Sequence, residues 1–206
     1  MTALALAAPA RRAGVLSVAK EMFAAQPFDE VSMDGVADRA SVAKGLIYYY
    51  FGSKRGLYVE TVRAAAAELR REWDTDAGGS PMQQLRAGID AYLGYAERHP
   101  AGYRSLMAGG VGTDGDVRAV LDAERAAVID RVVSSLGLSE RRPALRAALQ
   151  GWLSFMEGVT LDWLAASDLS RDDTRELVLG ALRGALAAAH GVDPAVPSTV
   201  PVAEPT

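Results

Sequence analysis

A chain of 206 residues with a formal net charge of -4, half of it hydrophobic, can bury a sizeable core in one domain or two. The absence of cysteine excludes a disulfide framework, thiolate metal sites and cysteine nucleophiles. No apolar run reaches the roughly 18 residues of a membrane span, and the opening MTALALAAP lacks the basic leader of a secretory signal. A cytoplasmic protein with no membrane partner is expected.

The charge is unevenly placed. Residues 1–55 carry a net +2, the remainder -6, and from Arg39 to Val59 there are four basic residues and no acidic one. Because screening limits repulsion to about 10 Å at 0.1 M salt, a local positive stripe on an acidic body can still meet phosphate.

Residues 1–9 read as a flexible tail. Val15, Leu16, Ala19, Met22 and Phe23 then recur at helical spacing and predict a first helix over about 10–25, ended by Gln26-Pro27. Ser32 is placed to cap a short helix to about Arg39, with Asp34 in its first turn. A break at Ala40-Ser41-Val42 precedes a second short helix from about Ala43 to Tyr49. After Gly52-Ser53, Ser53 can cap a longer helix to about Trp73.

DAGGSP (76–81) reads as a loop, followed by a helix to His99-Pro100 and a shorter one carrying Tyr103, Leu106 and Met107. AGGVGTDG (108–115) lacks the GK[ST] and preceding strand of a phosphate loop and reads as a linker. Three long helices are predicted near 115–136, 140–166 and 170–190, then a proline-rich tail, 192–206, expected to be disordered. No stretch alternates as a strand does. The expected fold is all-α with about nine helices: a three-helix N-terminal domain (10–53) and a larger helical bundle (54–191).

Two helices of about seven residues joined by a tight turn are too short to persist alone. The first helix offers a face to bury them, and the three together describe a helix-turn-helix, whose second helix enters the major groove. On that helix Val42, Ile47 and Phe51 can face inward. Lys44 and Tyr48, four apart, then point outward, flanked by Gly45 and Tyr49. Tyrosine brings a hydroxyl for phosphate and a ring edge for thymine methyls, and glycine lets the backbone approach DNA closely. Lys54 adds charge at a helix start, where phosphate is already favoured. On these residues alone, DNA binding and a plain helical core with exposed aromatics both stay open.

The stretch RRAGVLSVAKEMFAAQPFDEVSMDGVADRASVAKGLIYYYFGSKRGLYVETV (11–62) resembles the N-terminal domain of the TetR family. Phe23, Phe28, the Ser32 to Val36-Ala37 run, Val42 and KGLIYYYFGSK (44–54) carry the likeness, over about a quarter of the chain. The resemblance implies that Lys44, Gly45 and Tyr48 meet base edges or adjacent backbone, that Tyr49, Tyr50 and Lys54 contact the DNA backbone, and that Ser32 both caps and touches phosphate. Leu46 lies on the same DNA-facing helix, where the family often has Thr, so one phosphate-binding hydroxyl is missing. Ser41 stands where the family usually has Gly, and Ala43 where it has Ser or Thr. Ala43 cannot cap its helix, a loss of about 1 kcal/mol unless Ser41 substitutes.

Beyond residue 81 the likeness is one of architecture. Leu149, Trp152, Met156, Val159 and Trp163 form one stripe, with Leu153, Leu161 and Leu164 elsewhere around the axis, so that helix is buried on more than one side. Val178, Leu182 and Leu186, with Gly180 and Gly184, resemble part of the family's four-helix dimer interface. A homodimer through the two C-terminal helices is expected; burial of both in one large core is the alternative. Tyr92, Tyr95, Tyr103, Met107, Trp152, Phe155, Met156 and Trp163 are candidates for an apolar, aromatic ligand pocket, with core packing the competing role for each. Arg104, Glu157 and Asp162 are candidate polar anchors. His99 and His190 are the only histidines, and no H-x-x-x-H or G-x-S-x-G motif occurs, so no catalytic site, metal or cofactor is expected. The expected function is a ligand-responsive regulator that represses from a palindromic operator in double-stranded DNA. A helical small-molecule-binding module without specific DNA recognition is the alternative.

Overall fold

The computed structural model describes residues 2–73, 79–107, 115–135, 137–138 and 142–200. All regular structure among them is helical: α1 (Thr2–Ala25), α2 (Met33–Arg39), α3 (Lys44–Phe51), α4 (Lys54–Trp73), α5 (Pro81–Arg98), α6 (Pro100–Met107), α7 (Gly115–Ser135), α8 (Pro143–Ala166) and α9 (Arg171–Val192), with a 3₁₀ turn at Phe28–Glu30. The all-α class forms as expected, a helix-turn-helix followed by a helical bundle. None of the described helices is long and apolar enough to cross a membrane. Residues 74–78 of the predicted loop region, the glycine-rich connection at 108–114 and the last residues, 201–206, lie outside the described residues.

The residues group into two compact units, Met1–Glu68 with His99–Leu121, and Leu69–Arg98 with Asp122–Thr206. The sequence reading divides the chain at 53/54; the compact grouping places α4 through Glu68, α6 and the first turns of α7 with the N-terminal helices. A local reason is visible at the end of α1. Its last carbonyls have no helical donor, and the Ser105 hydroxyl of α6 donates to that of Phe23 at 3.2 Å.

In the first unit, Val15, Ala19 and Phe23 are the buried face of α1, four residues apart. Phe23 stacks on Phe28 with centroids 5.9 Å apart, and Tyr58 of α4 meets both rings edge-on at 5.0 and 5.2 Å. This cluster fixes α1, the 3₁₀ turn and α4 to one another. The expected tail at 1–9 is corrected, because α1 begins at Thr2 rather than near residue 10. TALALAA consists largely of strong helix formers, and the helix continues through Pro9 although that residue offers no N–H to the preceding turn.

In the second unit, α8 packs on α9 and α5 lies against both. Leu145, Leu149, Met156, Val178, Leu182 and Leu186 are almost wholly buried. Arg86 pairs with Glu176, and Arg171 and Arg175 reach Asp90, tying α5 to α9. The expectation of disorder from residue 192 is also corrected. Asp193 pairs with Arg142 at 2.9 Å and accepts the Ala195 N–H at 3.1 Å. The Val196 carbonyl accepts from His190 Nδ1 at 2.7 Å, and Val196 and Val200 are buried. Two valines supply apolar burial, while Pro194 and Pro197 lower the entropy lost on ordering.

Candidate nucleic-acid interface

The α2–α3 corner is set by its turn chemistry. The Ser32 hydroxyl accepts the Gly35 N–H at 2.9 Å and caps α2 as predicted. At the other end the Ser41 N–H bonds the Asp38 carbonyl at 3.1 Å, and the Val42 N–H that of Ala37 at 3.0 Å. These two bonds form a Schellman motif, which needs a left-handed residue at its centre. Ser41 takes that conformation with φ 54°, at a strain of about 1–2 kcal/mol that glycine avoids. The family's glycine at this position therefore has a conformational cause. No side chain caps α3 at Ala43, as its methyl group requires.

Gly52, with φ 73°, ends α3, and the Ser53 hydroxyl accepts the Gly56 N–H at 2.9 Å to start α4. Sequence reading passed over Gly56. A Cβ there meets the Phe51 carbonyl oxygen at 2.2 Å, so α4 leaves α3 as closely as the backbones allow. The available signal was a glycine in the first turn of a helix, a position that costs up to about 1 kcal/mol unless geometry demands it.

α3 sorts its side chains sharply. Ile47 and Phe51 are buried, whereas Tyr48 is 43% and Tyr49 82% exposed. Lys44 and Gly45 share the exposed side, Leu46 is half-buried, and Ser32 is exposed at the start of α2. Lys44 bonds the Asp34 carboxylate of α2 at 2.9 Å, and that hydrogen bond raises the ammonium's pKa above its ordinary value. Ten residues and a turn separate this pair, so no helical spacing announces it. Lys54 lies 4.6 Å above the Phe28 ring and donates to the Asp29 carbonyl at 3.2 Å. Tyr50 differs from its neighbours: it is half-buried and donates its hydroxyl proton to the Ala8 carbonyl of α1 at 3.2 Å.

The eight candidate ligand residues are divided between the two units. Tyr103 and Met107 lie on α6 in the first unit, the other six on α5 and α8 in the second. Tyr92, Tyr95, Tyr103, Trp152, Met156 and Trp163 are buried, Met107 is half-buried, and Phe155 is 42% exposed. The Trp152 indole N–H bonds the Val178 carbonyl of α9 at 3.0 Å, and that of Trp163 bonds the Leu169 carbonyl in the α8–α9 connection at 2.9 Å. A half-open, mostly apolar pocket of about 30 Å³ lies in the first unit among Phe23, Ala24, Tyr58, Val62, Gly102 and Leu106, with Lys20, Thr61 and Ser105 also lining it. It has room for about two waters, and none of the eight candidates lines it.

Of the polar candidates, Arg104 and Asp162 are exposed. Glu157 receives two bonds from Arg125 of α7, both 2.9 Å, and this bonding raises the guanidinium's pKa. Leu182 and Leu186 are fully buried within one chain. They are core residues of the chain, and the large apolar side chains left exposed on α8 and α9 are Phe155, Leu177 and Val192.

Residues 10–61 match the model described as bacterial regulatory proteins, tetR family, and residues 81–182 match the tetracyclin repressor-like C-terminal domain. The HTH-type transcriptional activator FasR of Mycolicibacterium smegmatis is 29% identical over 148 residues, 68% of this chain and 64% of FasR. The chain thus spans just under two thirds of that relative's length. The HTH-type transcriptional regulator BetI of Stenotrophomonas maltophilia is 32% identical over 88 residues, 37% of this chain and 45% of BetI. A tetR-family transcriptional regulator from Streptomyces coelicolor superposes with a TM-score of 0.80 at 26% identity, covering 91% of this chain and 85% of the other. With both halves matched and a helix-turn-helix presenting Tyr48 and Tyr49 outward, the chain belongs to the TetR family of DNA-binding transcriptional regulators.

Proposed function

We propose that the protein is a ligand-responsive repressor that binds a near-palindromic operator as a homodimer and leaves it when a hydrophobic or aromatic small molecule binds. One observation carries the DNA half: Tyr48 and Tyr49 are exposed on a helix whose other face is anchored by Ile47 and Phe51. Large aromatic rings held in water on a rigid helix gain nothing for folding and are available to a partner. Lys44, Gly45, Leu46, Tyr48 and Tyr49 face the groove in this reading, while Ser32 and Lys54 meet phosphate at the starts of α2 and α4. Lys44 exchanges Asp34 for phosphate on binding.

Two readers related by a two-fold axis reach successive major grooves about 34–36 Å apart. The dimer forms through the outer faces of α8 and α9, with Phe155 and Leu177 in contact, rather than through Leu182 and Leu186. Charge at Phe155 then yields folded monomers by light scattering. The effector lies in the second unit beside Tyr92, Tyr95 and Met156, and it acts only through its preference for the non-binding state. A tenfold effect needs about 1.4 kcal/mol of differential affinity, and operator must weaken effector binding equally.

The test is selection of operators from a random duplex pool, followed by promoter fusions with and without the protein. An enriched two-fold symmetric site and lower promoter output support the reading. FasR is a transcriptional activator, and raised output from the same site reverses the sign of regulation while leaving the reader intact. No enriched site leaves the helical binding module.

A further inference from the structure

Among the three consecutive tyrosines of α3, Tyr50 alone is turned back onto the protein. Its hydroxyl lies 3.2 Å from the carbonyl oxygen of Ala8. A helical carbonyl has a second lone pair beside the one used within the helix, so it can accept this bond without giving up its own. A tyrosine hydroxyl, however, has one proton. With that proton on Ala8, Tyr50 cannot also donate to a phosphate, and a phosphate oxygen offers nothing in return.

The neighbouring contacts converge on the same corner. The Arg12 guanidinium sits 4.9 Å above the Phe51 ring and pairs with Glu60 of α4 at 2.7 Å. α1, α3 and α4 are thereby joined at the end of α3. Pro9, one residue after Ala8, offers no N–H to the preceding turn, so the first turns of α1 gain order from an external contact. The two partners are 42 residues apart in sequence, and Tyr50 reads as a DNA contact until its hydroxyl is located.

We propose that Tyr50 is a positioning residue, which latches the recognition helix to the N-terminal turns of α1 and so sets the angle at which Tyr48 and Tyr49 meet DNA. The proposal rests on the DNA-reading role of α3 and removes Tyr50 from the set of phosphate contacts. It also gives residues 2–8 a role in operator recognition although they carry no charge.

The test uses Tyr50→Phe in the full chain, which deletes the hydroxyl and keeps the ring. Without DNA, amide exchange across residues 44–51 is expected to accelerate about three- to tenfold, because the opening of α3 becomes easier. On DNA, the ratio of selected-operator to random-duplex affinity falls by a similar factor with the salt slope unchanged. In a chain lacking residues 2–8, Tyr50→Phe makes no further difference to either. Unchanged exchange overturns the proposal, whether or not affinity falls. So does an equal loss of affinity from Tyr50→Phe in the shortened chain, since the hydroxyl then bonds DNA. If the shortened chain does not fold, exchange in full-length Tyr50→Phe decides alone. Exchange is measured without DNA, so a wild-type protein that selects no operator defeats the DNA reading separately from the latch.

Discussion

The outer face of α3 and the inner face of α8 use aromatic and large apolar residues in opposite ways. In the reader, Tyr49 is 82% exposed on a short helix already anchored by Ile47 and Phe51. In the bundle, Trp152 and Met156, which the sequence offers as ligand contacts, are 2% and 0% exposed, and the Trp152 N–H is bound to a backbone carbonyl. A buried aromatic already accounts for itself through apolar area and a satisfied donor. Two adjacent aromatics, Tyr48 and Tyr49, held in water on a rigid helix form a patch that burial does not account for, and such a patch points to a partner.

That contrast can be broken first at the bundle. Leu182→Ala deletes a fully buried side chain and is expected to cost about 2–5 kcal/mol in denaturant unfolding. Stability unchanged by this substitution returns Leu182 to the dimer interface. Tyr49→Ala is the mirror experiment. Its stability change stays within about 0.5 kcal/mol, while operator affinity falls about tenfold, or about 1.4 kcal/mol. A large loss of stability from Tyr49→Ala erases the distinction between the regions.

Smaller effects sharpen the account of the reader. Ser41→Gly relieves a left-handed serine at φ 54°. The relief of about 1–2 kcal/mol is offset by about 0.5–1 kcal/mol of glycine chain entropy, for a net gain near 0.5–1 kcal/mol in thermal unfolding. Asp34→Asn frees Lys44 and removes a negative charge from the DNA-facing surface. Random-duplex affinity at 0.1 M salt is expected to rise about two- to threefold, the range of an exposed ion pair. The smallest effect concerns the C-terminal segment. The Arg142 guanidinium, and then the Ala195 N–H, hold the Asp193 carboxyl below its ordinary value of 3.8. Because the folded value is the lower one, its contribution is full above the ordinary value and is lost as pH falls through the depressed one. Amide protection at Ala195 is expected to persist at pH 5 and fade below about pH 3.8.

What the sequence revealed follows the reach of each interaction. Ser32 to Gly35 and Ser53 to Gly56 are three residues apart, and such caps are legible because donor and acceptor lie within one turn. Ser41 was marked by its departure from glycine, and its φ supplies the reason. Lys44 with Asp34, Arg125 with Glu157 and Tyr50 with Ala8 are joined only by tertiary packing, and periodicity is blind to it. The segment after Val192 misled in a different way. Proline content averaged over the tail reads as disorder, while two valines and one Arg142–Asp193 pair suffice to seat residues 193–200. In the bundle, helical periodicity located the apolar stripes, but a stripe facing its own chain and one facing a second subunit have the same period.

The central claim is that the exposed face of α3 reads DNA sequence. Its most direct test titrates wild type and Tyr48→Ala against a selected operator and a scrambled duplex of equal length at fixed salt. The account predicts at least about a tenfold loss on the operator and a change within about twofold on the scrambled duplex, so that discrimination collapses. Equal binding of both proteins to the operator contradicts it.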